Sequence, residues 1–265
     1  MDLAAAHHEL TQAHGALAAV FAKYLLRADT DGCPCCVSAA DHAELQSGNL
    51  RRYAFKAMTT WGNELDFKHF VPALVAALTP SSRYYPGAVH DGACDLQCFA
   101  HKLAYAHWQT WSAEEQQAVR TCLRAWWRVC LSLLKQEFSE FLAGRSADGW
   151  GNSVEPAYQE LVQSELLPAA WLQEVWYEAM QPAPAQTATA YVQSPAFLLL
   201  VDWLYYFHYY ADAKPPEVSM DPAIRQYLEA GFFYYTDFSP ALAQRLSELL
   251  YYLEHSLPLP APRPE

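Results

Sequence analysis

Cys33-Pro34-Cys35-Cys36 is the densest cluster of residues able to do chemistry in this chain. Cys33 and Cys36 have C-x-x-C spacing, at which two thiolates can grip one zinc ion without backbone strain. A tetrahedral site needs further ligands. His42 is close in sequence, and Cys94, Cys98 and His101 fall on one face of a helix expected over Ala93 to Trp108. A zinc site using Cys33 and Cys36, with Cys94, Cys98 and His101 as further ligands, is therefore one reading. Buried thiols are a second, because unpaired cysteine is among the most buried residue types. Redox chemistry is a third, since Asp31-Gly32 leads the pair into a possible helix start, where the dipole lowers a thiol pKa. A thioredoxin-type version lacks its context, because no strand precedes the pair. Apart from zinc, no cofactor is expected.

Downstream lie Tyr53-Ala-Phe-Lys-Ala-Met-Thr-Thr-Trp-Gly62 and Asp66-Phe-Lys-His-Phe-Val-Pro72. Pro72 cannot donate to the Lys68 carbonyl, and His69 lies beside that gap. One reading makes Trp61, Asp66 and His69 an interaction site. The other makes Asp66 a helix N-cap, Trp61 an anchor at the Gly62 turn and His69 a hydrogen-bonded surface residue. No G-x-S-x-G elbow, P-loop, G-x-G-x-x-G or H-E-x-x-H is present, so no catalytic residue is singled out.

These segments resemble a group of uncharacterised bacterial proteins that carry a C-x-x-C segment upstream of a Thr-Trp-Gly and Asp-Phe-Lys-His-Phe-Leu-Pro signature. The resemblance covers roughly residues 30 to 80, with a fainter echo around Trp111 to Trp127. Cys33 and Cys36 match the pair and Cys35 is additional. What the resemblance implies is that this region matters; it names no reaction.

The elements that must position these residues read as helices. Leu10, Leu17, Val20, Phe21, Tyr24 and Leu25 recur at helical spacing over residues 3 to 27. Short helices are expected over Asp41 to Leu45 and Leu50 to Thr60, the second with Leu50, Tyr53, Ala54, Ala57 and Met58 on one stripe and Gly62 as its stop. From Asp66, the positions Phe67, Phe70, Val71, Leu74 and Leu78 form another. Ser81 to Gly92 reads as a loop. Ser112-Ala-Glu-Glu115 is a capping box that opens a long helix to about Leu142, with Gly144 closing it. Cys122, Trp126 and Cys130 share its core face. Further helices are expected at Val154 to Ser164, Pro168 to Met180, Pro195 to Ala211, Pro222 to Ala230 and Pro240 to His255, four of them opened by proline.

No stretch alternates as a strand does. The expected fold is all-α, an irregular multi-helix bundle or an α-solenoid-like stack of antiparallel helix pairs. One domain is expected over 1–256, with 181–187 the place for any subdivision, followed by a Pro-rich flexible tail at 257–265.

Composition narrows the function. The chain has 265 residues, 52% of them hydrophobic, and a net charge of −12. That acidity argues against nucleic-acid and anionic-membrane partners, which need clustered Lys and Arg, and favours a basic protein partner. The apolar runs are far shorter than the about 20 residues that cross a bilayer. No export signal is read near His7-His8-Glu9, and seven cysteines cannot all pair, so a cytoplasmic setting is expected. Five Tyr-Tyr pairs, beginning at residues 84, 205, 209, 234 and 251, suit either an interface or thick packing between helices. The leading expectation is a non-enzymatic protein-interaction module of the adaptor or toxin-neutralising type. The alternative is a thiol-dependent metal-binding or redox protein centred on Cys33 and Cys36. A helical enzyme with a tyrosine-lined pocket is a weaker third.

Overall fold

The computed structural model describes residues 2–25, 47–59, 62–80, 95–144, 154–183, 185–209 and 222–255. The fold is an all-α multi-helix bundle. In chain order the helices are α1 (Leu3–Phe21), α2 (Ser47–Lys56), α3 (Glu64–Ala76), α4 (Leu96–Tyr105), a 3₁₀ turn (Trp108–Thr110), α5 (Ala113–Leu142), α6 (Glu155–Gln163), α7 (Ala169–Met180), α8 (Ala188–Val192), α9 (Pro195–Tyr209), α10 (Pro222–Phe238) and α11 (Pro240–His255). The readings placed on Cys33, Cys35, Cys36, His42, Trp61 and Cys94, the helix at Asp41 to Leu45, the Ser81 to Gly92 loop and the 257–265 tail lie outside the described residues. Two compact units are formed: Met1–Ser132 with Val154–Leu172, and Leu133–Ser153 with Gln173–Glu265. The 181–187 stretch falls inside the second unit. Among the described residues, no helix is long and apolar enough to cross a membrane.

In the first unit, α1 buries Ala6, Leu10, Ala13, Leu17 and Phe21, a stripe of period close to 3.6. It stops at Phe21 rather than continuing to residue 27, and Leu25 is 78% exposed instead of joining the stripe. Leu50, Tyr53 and Ala54 of α2 and Ala57 just after it are buried as the spacing predicts, whereas Met58, expected on the same stripe, is only half-buried. The helix ends at Lys56, before Thr60, because Met58 takes the left-handed conformation (φ 62°) that terminates helices. The Ala57 carbonyl at that end accepts from Lys102 Nζ of α4 at 3.0 Å.

α3 starts earlier than expected. Its N-cap is Asn63, whose side chain accepts from the Leu65 and Asp66 amides, while Asp66 at the third position accepts from the Asn63 amide at 2.8 Å. Asp66 therefore closes a capping box and is not the cap itself. Gly62 makes room for this arrangement: it has φ +66°, and a Cβ there would lie 2.9 Å from Asp66 Oδ2. Pro72 sits inside α3, which continues past it to Ala76. Phe67, Phe70, Val71, Leu74 and Leu78 are all buried, as are Cys122, Trp126 and Cys130 on α5. The indole of Trp126 donates to the Leu78 carbonyl at 3.0 Å, tying α5 to the end of the α3 segment.

In the second unit, α9 is apolar almost all round, and residues Ala196 to Val201 are buried without a break. A helix of this composition must be enclosed by its neighbours. α10 runs to Phe238, well past the stop expected at Ala230, because Gly231 is a packing residue within the helix. A Cβ at Gly231 would lie 2.4 Å from Phe197 Cζ of α9. The missing side chain admits the Phe197 ring, which stacks parallel on Tyr235 with centroids 6.2 Å apart. Tyr235 in turn donates to the Val192 carbonyl at 2.7 Å. The five-residue helix α8 ends at that carbonyl's residue and is held by Thr187, which accepts from the Ala190 amide. It is too short to show periodicity.

Gly231→Ala is expected to destabilise the protein by about 1–3 kcal/mol, the usual cost of overpacking a close helix contact. Urea unfolding checks it, and Phe197→Leu in the same background should recover part of the loss. A neutral Gly231→Ala would mean that the α9–α10 contact yields freely.

Candidate functional site

Beside Asp66 and His69 on α3, the first unit holds a buried charge cluster. Its centre is Glu115, 1% exposed, at the third position of the capping box that opens α5. Ser112 and Glu115 exchange the two bonds the sequence pattern predicts. The Glu115 amide donates to Ser112 Oγ at 3.3 Å, and the Ser112 amide donates to Glu115 Oε2 at 3.2 Å. The carboxylate does more than cap. Lys68 of α3 reaches Oε2 at 3.3 Å, Lys23 reaches Oε1 at 3.0 Å, and the Tyr24 hydroxyl donates to Oε1. Four donors fill the acceptor sites of one carboxylate.

Lys68, 7% exposed, is equally well held. Glu64, one turn earlier on α3, lies 3.1 Å from its ammonium. The same nitrogen stands 4.6 Å from the Trp111 ring centre and 5.2 Å from that of Tyr24, where the negative faces of the rings favour a cation. Phe21 and Phe67 pack on Trp111 with centroids 5.8 and 6.2 Å away, so an aromatic wall lies beside the ion pair.

Burial alone would push the Glu115 carboxyl up. The Tyr24 hydroxyl, Lys23, the Lys68 charge and the Ser112 amide outweigh it and bring the group down to about 2. Burial likewise works against the charge on Lys68, but Glu64 and Glu115 outweigh it and raise the ammonium above its ordinary value. Both groups hold their charges near neutrality, so neither offers a base or a nucleophile. The cluster is a latch that joins the end of α1, α3 and the start of α5.

Asp66 is buried, and its carboxylate serves the capping box. His69 is half-buried, with Nδ1 2.7 Å from the Tyr24 carbonyl and its ring edge-on to Phe70. Asp66 and His69 thus support the latch from either side along α3. Of the proposed metal ligands, Cys98 is half-buried on α4 and His101 is exposed one turn later. Among the described residues, no group of three or more His, Cys, Asp and Glu side chains converges as a metal site would require. Burial pushes the Cys122 thiol up to about 12, which marks it as core packing.

Sequence reasoning missed Lys68, Glu115 and Tyr24 as one cluster. A signal was present: Lys68 shares a helical stripe with the buried Val71 and Val75 and has Glu64 one turn before it. A lysine on an apolar stripe needs a buried partner. The second unit holds a cleft of about 120 Å³ lined by Tyr177, Met180, Tyr191, Ile224 and Tyr227 among others. The Tyr191 hydroxyl is committed to the Met180 carbonyl at 2.6 Å, and burial raises its pKa far above the ordinary phenol value. This phenol stays protonated. No family model, curated protein or solved structure matches the chain.

Glu115→Gln is expected to cost about 3 kcal/mol by leaving Lys68 and Lys23 undercompensated. It should also flatten the acid limb of stability. Because folding depresses this carboxyl from 4.5 to about 2, its contribution is complete above 4.5 and is lost as pH falls towards 2. The loss is on the order of 3 kcal/mol. Urea midpoints measured across that window for both proteins check the sign, and parallel profiles would contradict it.

Proposed function

We propose that the protein is a non-enzymatic interaction module of the adaptor or toxin-neutralising type, which binds a basic protein partner through its second unit. The observation that carries this reading is the last part of α10. There Phe233 is 75% exposed, Phe238 46% and Tyr234 37%, with Asp237 exposed among them. Exposed single apolar residues are ordinary, but three large exposed rings within six positions concentrate apolar surface at the end of one helix. Tyr234 and Phe238 lie one turn apart with ring centroids 6.2 Å from each other.

The tyrosine pairs support the same reading. In Tyr234-Tyr235 the second ring is fully buried and the first faces out, and in Tyr251-Tyr252 the first is 51% exposed while the second is half-buried. Each pair buries one ring more than the other and leaves the more exposed one at the surface. Charge favours a cationic partner. Of the 17 Lys and Arg and 29 Asp and Glu in the chain, the second unit holds 6 and 14, so it carries −8 of the −12. Aromatic faces flanked by carboxylates suit Lys and Arg side chains, which gain both ion-pair and cation–π contacts. The reducing cytoplasm is the setting this reading implies.

Affinity capture from native lysate with the full chain and with the Phe233→Ser/Phe238→Ser variant tests the proposal. The expected result is a basic protein retained at low salt by the first, released as salt rises, and lost from the variant. A capture set that is acidic, or identical for the two baits, would overturn it.

A further inference from the structure

Three arginines of α5 stand at successive turns of one stripe: Arg120, Arg124 and Arg128. In a chain with an excess of carboxylates, such a row would ordinarily be neutralised on the spot. Here it is not. Arg128 pairs with Glu9 of α1 at 2.5 Å, but Arg120 and Arg124 make no ion pair and no hydrogen bond among the described residues. The helix positions three and four residues away from them hold Gln116, Gln117, Thr121, Leu123 and Trp127, with no acid among them. The Nε of Arg124 is buried without a partner.

What these guanidiniums do have is indole. Arg120 lies 5.0 Å from the Trp108 ring centre, Arg124 4.9 Å from that of Trp171 and Arg128 5.7 Å from the same ring. A guanidinium against an aromatic face is held in place by it, while its N–H donors point from the edge of its own plane. All three side chains are half-buried, so they are reachable from solvent but partly shielded from it. Like charges one turn apart also repel, and an anion placed between them converts that repulsion into attraction.

We propose that the Arg120–Arg124–Arg128 ladder is a binding site for a small, soluble phosphate-bearing anion. Two guanidiniums one turn apart can share the oxygens of a phosphoryl group, each through paired N–H donors. Trp108 and Trp171 hold the arginines in position, and Glu9 competes with the ligand for Arg128. The chain's net acidity turns away extended polyanions and anionic membrane surfaces, which restricts the ladder to small ligands.

Isothermal titration of the full chain with inorganic pyrophosphate at low ionic strength tests the site. Saturable binding is expected, weakened at least about tenfold by Arg120→Gln and by Arg124→Gln. Glu9→Gln should tighten binding several-fold by releasing Arg128, an effect that a purely structural ladder would not produce. Arg225→Gln, which alters an exposed arginine of the second unit paired with Glu229 and Glu254, should leave binding unchanged. No saturable heat, equal affinity in Arg124→Gln, or an equal loss in Arg225→Gln would overturn the proposal.

Discussion

The contact between Lys68 and Glu115 is the constraint on which the first unit depends. Two opposite charges, each almost wholly withdrawn from water, carry a desolvation cost of several kcal/mol per ion that only close and complete pairing offsets. Completeness is what the surroundings supply. Each Glu115 oxygen accepts from two donors, and the Lys68 ammonium has a second carboxylate and two aromatic faces. A buried pair of this kind adds little over an apolar isostere, but it makes any arrangement that separates the partners expensive. The latch therefore acts through register: α3 cannot slide or rotate against the start of α5 without stranding a charge.

That constraint explains features that look unrelated. α1 gives way after Phe21 because Lys23 and Tyr24 must turn their side chains to Glu115, which a continued helix with Tyr24 and Leu25 on its apolar stripe would not provide. The Tyr24 carbonyl lies within hydrogen-bonding reach of His69. Upstream of Lys68, the Asn63–Asp66 capping box and the Gly62 turn fix where α3 begins, and hence where Glu64 and Lys68 sit on it.

Much of this was legible in the sequence, for local reasons. The Ser112–Glu115 capping box, the apolar stripe of α3, that of α2 apart from Met58, and the core face of Cys122, Trp126 and Cys130 all depend on residues within a turn or two of each other, and each stands where its spacing placed it. The cap of α3 was displaced by three residues because Asn63 and Asp66 both suit the role and only the reciprocal bonds distinguish them. The sequence predicts too early an end for α10 because a glycine that ends one helix can, in another, admit a neighbouring ring, and Phe197 is far from Gly231 in sequence. Long-range information was likewise missing for the latch. Tyr24, Lys68 and Glu115 come from three segments, and nothing local to any of them names the other two.

Net charge bears on extended partners but is a weak guide to which small ligands such a chain binds, because fields are local. At physiological ionic strength, an exposed charge is largely screened beyond about 8 Å. A small ligand beside Arg124 therefore responds first to the neighbouring guanidiniums and to Glu9. A protein surface spans many such lengths and responds to the sum over its footprint, which on the second unit is strongly negative. The proposed acidic, aromatic face for a macromolecule and the proposed arginine row for a small anion are therefore compatible in one chain of charge −12. These two properties do not compete, since they are read at different distances.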